Sequence, residues 1–134
     1  MSFINWTKQE LTNINVIDKQ HIEITTLIND VYESNARKKK KVQLDFTKKL
    51  IEKLREHFET EEQFMKDYSD SGFYSHMLEH QRLLSKVILK DRKLRESNAE
   101  LDEEFFQSMR KWFYNHLDFK DSKLARHLSS KGVK

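Results

Sequence analysis

The chain has 134 residues, 37% hydrophobic and 35% charged, with a net charge of +3. That is one ordinary domain with room for one core. The charge is too small to suggest a nucleic-acid binder, and no run approaches the roughly 20 apolar residues that span a bilayer. The absence of cysteine excludes disulfides, thiolate metal sites and thiol catalysis together. Having no proline, only two glycines (Gly72 and Gly132) and many Lys, Glu and Leu predicts an all-α fold. The opening MSFINWTKQE lacks the charged-then-apolar order of a secretion signal, so a cytoplasmic protein is expected.

Residues 1–17 read as an irregular N-terminal arm. Asp18 is the expected N-cap of a first helix running to about Asn35. The basic run Arg37–Lys41 follows without interleaved aromatics and reads as a solvated loop or helix end. A second helix is expected from about Val42 to Tyr68, stopped by the turn sequence Ser69–Gly72. The third spans about Phe73 to Arg95. Ser97–Glu100 then has the form of a capping box, opening a fourth helix to about Phe119. Residues 122–134 are expected as a C-terminal tail, with His127 exposed. Short connections make neighbouring helices antiparallel, which gives an up-down-up-down four-helix bundle over about residues 18–121 of a single domain.

The inner stripes carry the chemistry. The first helix places Ile17, His21, Ile24, Ile28 and Val31 at spacings of 4, 3, 4 and 3. The second places Leu50, Leu54, His57, Glu61, Phe64 and Tyr68; the third Phe73, His76, His80, Leu83 and Val87; the fourth Phe105, Met109, Trp112 and His116. Each stripe is the 3–4 alternation of a bundle seam, and each contains a histidine. Five of the six histidines therefore face the core, together with Glu61. A buried polar group without a partner costs about 1–3 kcal/mol, and a buried carboxylate far more. A domain with a net stability of about 5–15 kcal/mol cannot carry that load uncompensated. A metal centre would use all of these groups.

Imidazole and carboxylate without sulfur suit iron, manganese, zinc or copper. The donors outnumber the four of a structural zinc, which favours two ions. The Glu-x-x-His pairs of ferritin-like di-iron bundles are absent, since no histidine has a glutamate three positions before it.

IDKQH (Ile17–His21), HFETEEQFM (His57–Met65), HMLEH (His76–His80) and WFYNHLDFKD (Trp112–Asp121), one per helix and in this order, resemble the hemerythrin family in its bacterial single-domain form. The resemblance implies two non-haem iron ions, one held by His76, His80 and His116 and the other by His21 and His57. Glu61 and Asp121 would bridge them, together with an oxo or hydroxo group. Asp121 rests on the resemblance alone: five residues beyond His116 it points about 140° away on an ideal helix, so the helix must end or distort there. With octahedral ions, this ligand set fills six positions on the first iron and five on the second.

An open position can take dioxygen, and the resemblance implies that it is bound reversibly, for carriage, storage or delivery, rather than turned over. Small anions are the other expected ligands, with no nucleic acid and no membrane insertion. Neutral histidines outnumber carboxylates, which agrees with binding. The alternatives are oxygen, redox or nitric oxide sensing, disfavoured by the lack of an output domain, and a peroxide or nitric oxide reductase or iron-handling protein. Phe58, Trp112, Phe113 and Leu117 are the expected lining of the ligand pocket. Phe113 stands where similar sequences more often carry an aliphatic residue, and Leu117 where isoleucine is common, so the pocket should be narrow. Glu59, Glu62 and Glu79 are expected to point away from the site.

Overall fold

The structure, a computed structural model, describes residues 3–5, 7 and 10–134. Four helices, α1 (Asn15–Glu33), α2 (Lys40–Asp67), α3 (Phe73–Glu96) and α4 (Glu103–His116), form the expected antiparallel up-down-up-down bundle. α4 continues through a π-helical turn, Leu117–Asp121, into a fifth helix, α5 (Ser122–Ser130). No helix among the described residues is long and apolar enough to cross a membrane.

Two apolar clusters fill the bundle. The larger is built from Ile24, Ile28, Phe46, Leu50, Leu54 and Phe106 with their neighbours on α3 and α4. The smaller joins Ile14, Ile17, Met65, Leu124 and Leu128. The expected tail is therefore a packed helix: Leu124, Ala125 and Leu128 are buried. His127 is half-buried, and its Nε2 lies 2.6 Å from the Tyr68 carbonyl oxygen. The short amphipathic pattern of residues 122–130 was masked because it continues the chain out of α4 with no turn signal between.

Two helix starts differ from expectation. α1 starts at Asn15, and Asp18 lies inside its first turn. From there its carboxylate accepts the N–H groups of Thr12 and Asn13, at 2.8 and 3.0 Å, and so ties the arm to the helix. α4 is capped by Asp102, which accepts the Phe105 N–H at 2.8 Å. Ser97 instead ends α3, and its hydroxyl donates to the Lys93 carbonyl. Within the basic run, Lys40 is structural: its ammonium donates to the carbonyls of Leu94, Ser97 and Ala99 at 2.7–3.3 Å, which clamps the α3–α4 connection.

Described residues of the arm are anchored to the bundle. Ile4 is buried in the larger cluster, and its N–H and C=O are both held by the Asn29 amide, at 2.7 and 2.9 Å. Phe3 stacks on Tyr32 with ring centroids 3.8 Å apart.

α2 ends in a Schellman motif. Asp70 N–H reaches the Met65 carbonyl at 2.9 Å, and Ser69 N–H reaches that of Lys66 at 3.3 Å. Ser69 takes the left-handed conformation this requires, with φ of 53°. An L-residue there gives up about 1–2 kcal/mol that glycine would not. Ser69→Gly is therefore expected to stabilise the protein by about 1 kcal/mol, read from the midpoint of chemical unfolding. An unchanged or lowered midpoint would contradict the assignment of strain to this residue.

Candidate metal centre

A polar layer separates the two apolar clusters. His21 lies between Ile17 of the smaller cluster and Ile24 of the larger; His57 and Glu61 lie between Leu54 and Met65; Asp121 lies between Leu117 and Leu124. His76, His80 and His116 complete the layer, and all seven residues are buried. Asp121 reaches it because of the π turn. The Ser122 N–H bonds the Leu117 carbonyl five residues back, and this wider turn brings residues five apart into line. Asp121 thus sits with both oxygens among the imidazoles, Oδ1 3.0 Å from His116 Nε2 and 3.1 Å from His76 Nε2, Oδ2 3.1 Å from His21 Nε2. Glu61 Oε1 is 2.9 Å from His57 Nε2 and 3.3 Å from His80 Nε2.

The seven side chains fall into two overlapping sets whose donor atoms lie within 4.8 Å of one another: Glu61, His76, His80, His116 and Asp121, and His21, His57, Glu61 and Asp121. Glu61 and Asp121 belong to both. Sequence reasoning named all seven, and the fold brings all seven together.

Sequence reasoning missed an outer ring of acceptors. Gln20 Oε1 accepts from His57 Nδ1 at 2.8 Å, Glu62 from His80 Nδ1 at 2.9 Å, and Glu79 from His116 Nδ1 at 3.0 Å. Glu62 and Glu79 therefore do not point away from the site; Glu59 alone of the three is exposed. Each acceptor sits one position from an inward-facing residue of its own helix, and so about 100° around it, aimed at the neighbouring helix. Two rings are also stacked into place, His80 on Phe58 at 3.9 Å and His116 on Trp112 at 4.4 Å.

These contacts supply the test of fit. A neutral imidazole whose Nδ1–H is donated outward keeps a lone pair on Nε2. On His57, His80 and His116 that lone pair faces a carboxylate, and His76 Nε2 faces His116 Nε2 at 3.0 Å. Both oxygens of Glu61, Oδ1 of Asp121 and Nε2 of His80 make no hydrogen bond among the described residues, despite their close contacts. Lone pairs facing carboxylates with no proton between them call for cations. The donor set, nitrogen and oxygen without sulfur, fits a pair of first-row transition-metal ions.

Without a metal, protons must do that work. Burial disfavours the charged form of His116, but the Asp121 carboxylate, followed by Glu61 and Glu79, holds its pKa up at about 9. Burial likewise opposes the charge on Glu61, as does the Asp121 carboxylate, and His57 and His80 overcome both and bring it down to about 2. His116 stabilises the metal-free fold fully below its ordinary 6.5, and that contribution is lost as the pH rises toward about 9. Glu61 contributes above its ordinary 4.5 and is lost as the pH falls toward about 2. Thermal unfolding of chelator-treated protein is thus expected to show its highest Tm between about pH 4.5 and 6.5, falling on both sides. A Tm flat from pH 6.5 to 9 would show that His116 is not held charged.

The residues 12–128 match the profile of the hemerythrin HHE cation-binding domain. The chain belongs to the hemerythrin family. It is 29% identical to the bacteriohemerythrin of Methylococcus capsulatus over 121 residues, which cover 87% of this chain and 90% of that protein. It is 25% identical to the bacteriohemerythrin of Pseudomonas aeruginosa over its full length and 89% of that protein. A crystal structure of wild-type hemerythrin superimposes with a TM-score of 0.88 at 26% identity, covering 96% of this chain and 99% of that one. Like that structure, this hemerythrin-family chain is an all-α four-helix bundle, and its buried donors sit on all four helices and the π turn.

Proposed function

We propose that this chain binds dioxygen reversibly at a non-haem di-iron centre, with His76, His80 and His116 on one ion, His21 and His57 on the other, and Glu61 and Asp121 shared. The observation that carries the proposal is a small cavity of about 10 Å³ that touches His21, His57, His116 and Asp121 and is closed by Phe58, Trp112, Phe113 and Leu117. Its volume is about what a single water molecule needs, so it admits only a small ligand. Both histidines of the half with fewer protein donors line it, against one of the three on the other half, so it is nearest the ion where ligand counting leaves a position open. Two irons bound here would supply the electrons that dioxygen takes up on binding and returns on release.

The side chains around the cavity do the rest. The Phe113 ring stands edge-on to His21, with centroids 5.6 Å apart, and occupies space that an aliphatic residue would leave free. Leu117 is shared between the cavity and a surface groove of about 430 Å³ beside residues 10–13 and α5, so it forms the partition between solvent and site. An apolar wall of this kind keeps water and protons from the bound ligand, which favours its release unchanged over its reduction. Apart from the proposed metal donors themselves, the described residues lining the cavity are apolar, and binding is the chemistry they serve best.

The reduced, iron-loaded protein should take up one dioxygen per chain, and the oxidised protein one azide, each with a new visible band. Phe113→Ala should enlarge the cavity and speed autoxidation, with two irons retained. Absence of a band with both ligands would refute the proposed function. Unchanged autoxidation in Phe113→Ala would remove that ring from any role in guarding the site.

A further inference from the structure

The three outer acceptors are not alike. His80 and His116 donate their Nδ1 protons to carboxylates, Glu62 and Glu79, whereas His57 donates to the neutral amide of Gln20. The orientation of that amide is fixed from its other end, where Nε2 donates to Thr60 Oγ1 at 3.0 Å and the Thr60 hydroxyl donates to the Glu56 carbonyl. Lys120 lies 3.4 Å from the second oxygen of Glu79 and offsets part of its charge, but both are about a quarter to a third exposed, so water screens that pair. An anionic acceptor draws the Nδ1 proton outward and makes Nε2 a better electron donor; a neutral amide does so far less.

Resting on the di-iron reading above, we propose that this difference sets an electronic asymmetry across the centre. Glu62 and Glu79 make the His76, His80 and His116 half the stronger donor, which favours the ferric ion there. Gln20 leaves His57, beside the cavity, the weaker donor. With iron bound, an electron supplied by a reductant such as dithionite to the fully ferric protein would therefore reside on the ion held by His21 and His57. Glu62, Glu79 and Gln20 are thus positioning residues that tune the ions through the imidazoles and touch neither metal nor ligand.

Potentiometric titration of the iron-loaded full chain with dithionite, followed by visible absorption and EPR of the half-reduced form, tests this. Wild-type protein should show two midpoints. Glu62→Gln and Glu79→Gln should each raise the lower one, and Gln20→Glu should lower the upper one, so all three narrow the range in which the half-reduced form exists. Outer-shell partners typically change metal affinity by about 10- to 100-fold. A tenfold change in ferric relative to ferrous affinity moves a one-electron midpoint by about 59 mV. Two irons per chain with unmoved midpoints in all three variants would overturn the asymmetry and leave the di-iron reading intact. Wild-type protein that holds no iron would overturn both. If Glu79→Gln loses iron and Glu79→Asp recovers it, a charged acceptor on His116 is supported; loss in both would overturn its tuning role.

Discussion

Glu61→Ala is expected to empty both metal positions, taking iron from two per chain to none. Glu61 is the one residue of α2 that belongs to both donor sets, and both of its oxygens are buried without a hydrogen bond among the described residues. Truncating it removes a donor from each ion at once and leaves a void into which water would enter. His21→Ala is the informative contrast, because His21 belongs to one set only. It should retain at least one ion on the His76, His80 and His116 side. Metal analysis of the two variants, purified from iron-replete medium, separates a shared bridge from an ordinary buried carboxylate. Two irons retained in Glu61→Ala would rule out the bridge.

The second large effect is on stability. With metal at about 1,000 times its dissociation constant, binding adds about 4 kcal/mol to the folded state. For a domain of this size that corresponds to roughly 10–20 °C in Tm. The metal-free fold also has to keep five imidazoles and two carboxylates in a layer between two apolar clusters, held only by protons. Chelation should therefore lower the Tm by that order in wild-type protein and leave Glu61→Ala unmoved, since that variant has nothing to lose. Equal melting with and without chelator in the wild type would show that the polar layer is self-sufficient.

The fold and the inner donors were legible because their signal is periodic. Histidines that replace apolar residues at 3–4 spacing, as in Ile17, His21 and Ile24, can only face inward once the helix is granted. Asp121 was legible only by resemblance, since its position depends on a π turn, and nothing in LDFKD announces that the hydrogen bonds will run five residues back instead of four. α5 was hidden for a related reason: a helix that continues from another without a break carries no cap of its own. Glu62 and Glu79 are misread from the sequence, and Gln20 is passed over, because residues off the inner stripe read as facing water. In a bundle the flank of one helix faces the next, and a polar side chain beside an inward ligand is in reach of the neighbouring helix's imidazole. The helix starts at Asp18 and Ser97 were displaced by competing partners: Asp18 binds backward to the arm, and Ser97 closes the preceding helix instead of opening the next.

The most direct test of the central proposal is one visible spectrum followed through a cycle, on protein of known metal content. The purified chain should hold two irons, lose its visible absorption on reduction, gain a band in air, and lose that band again when dioxygen is removed under argon. Protein carrying a single zinc, or a reduced di-iron form whose spectrum in air is that of the oxidised protein and does not revert, would contradict reversible dioxygen binding.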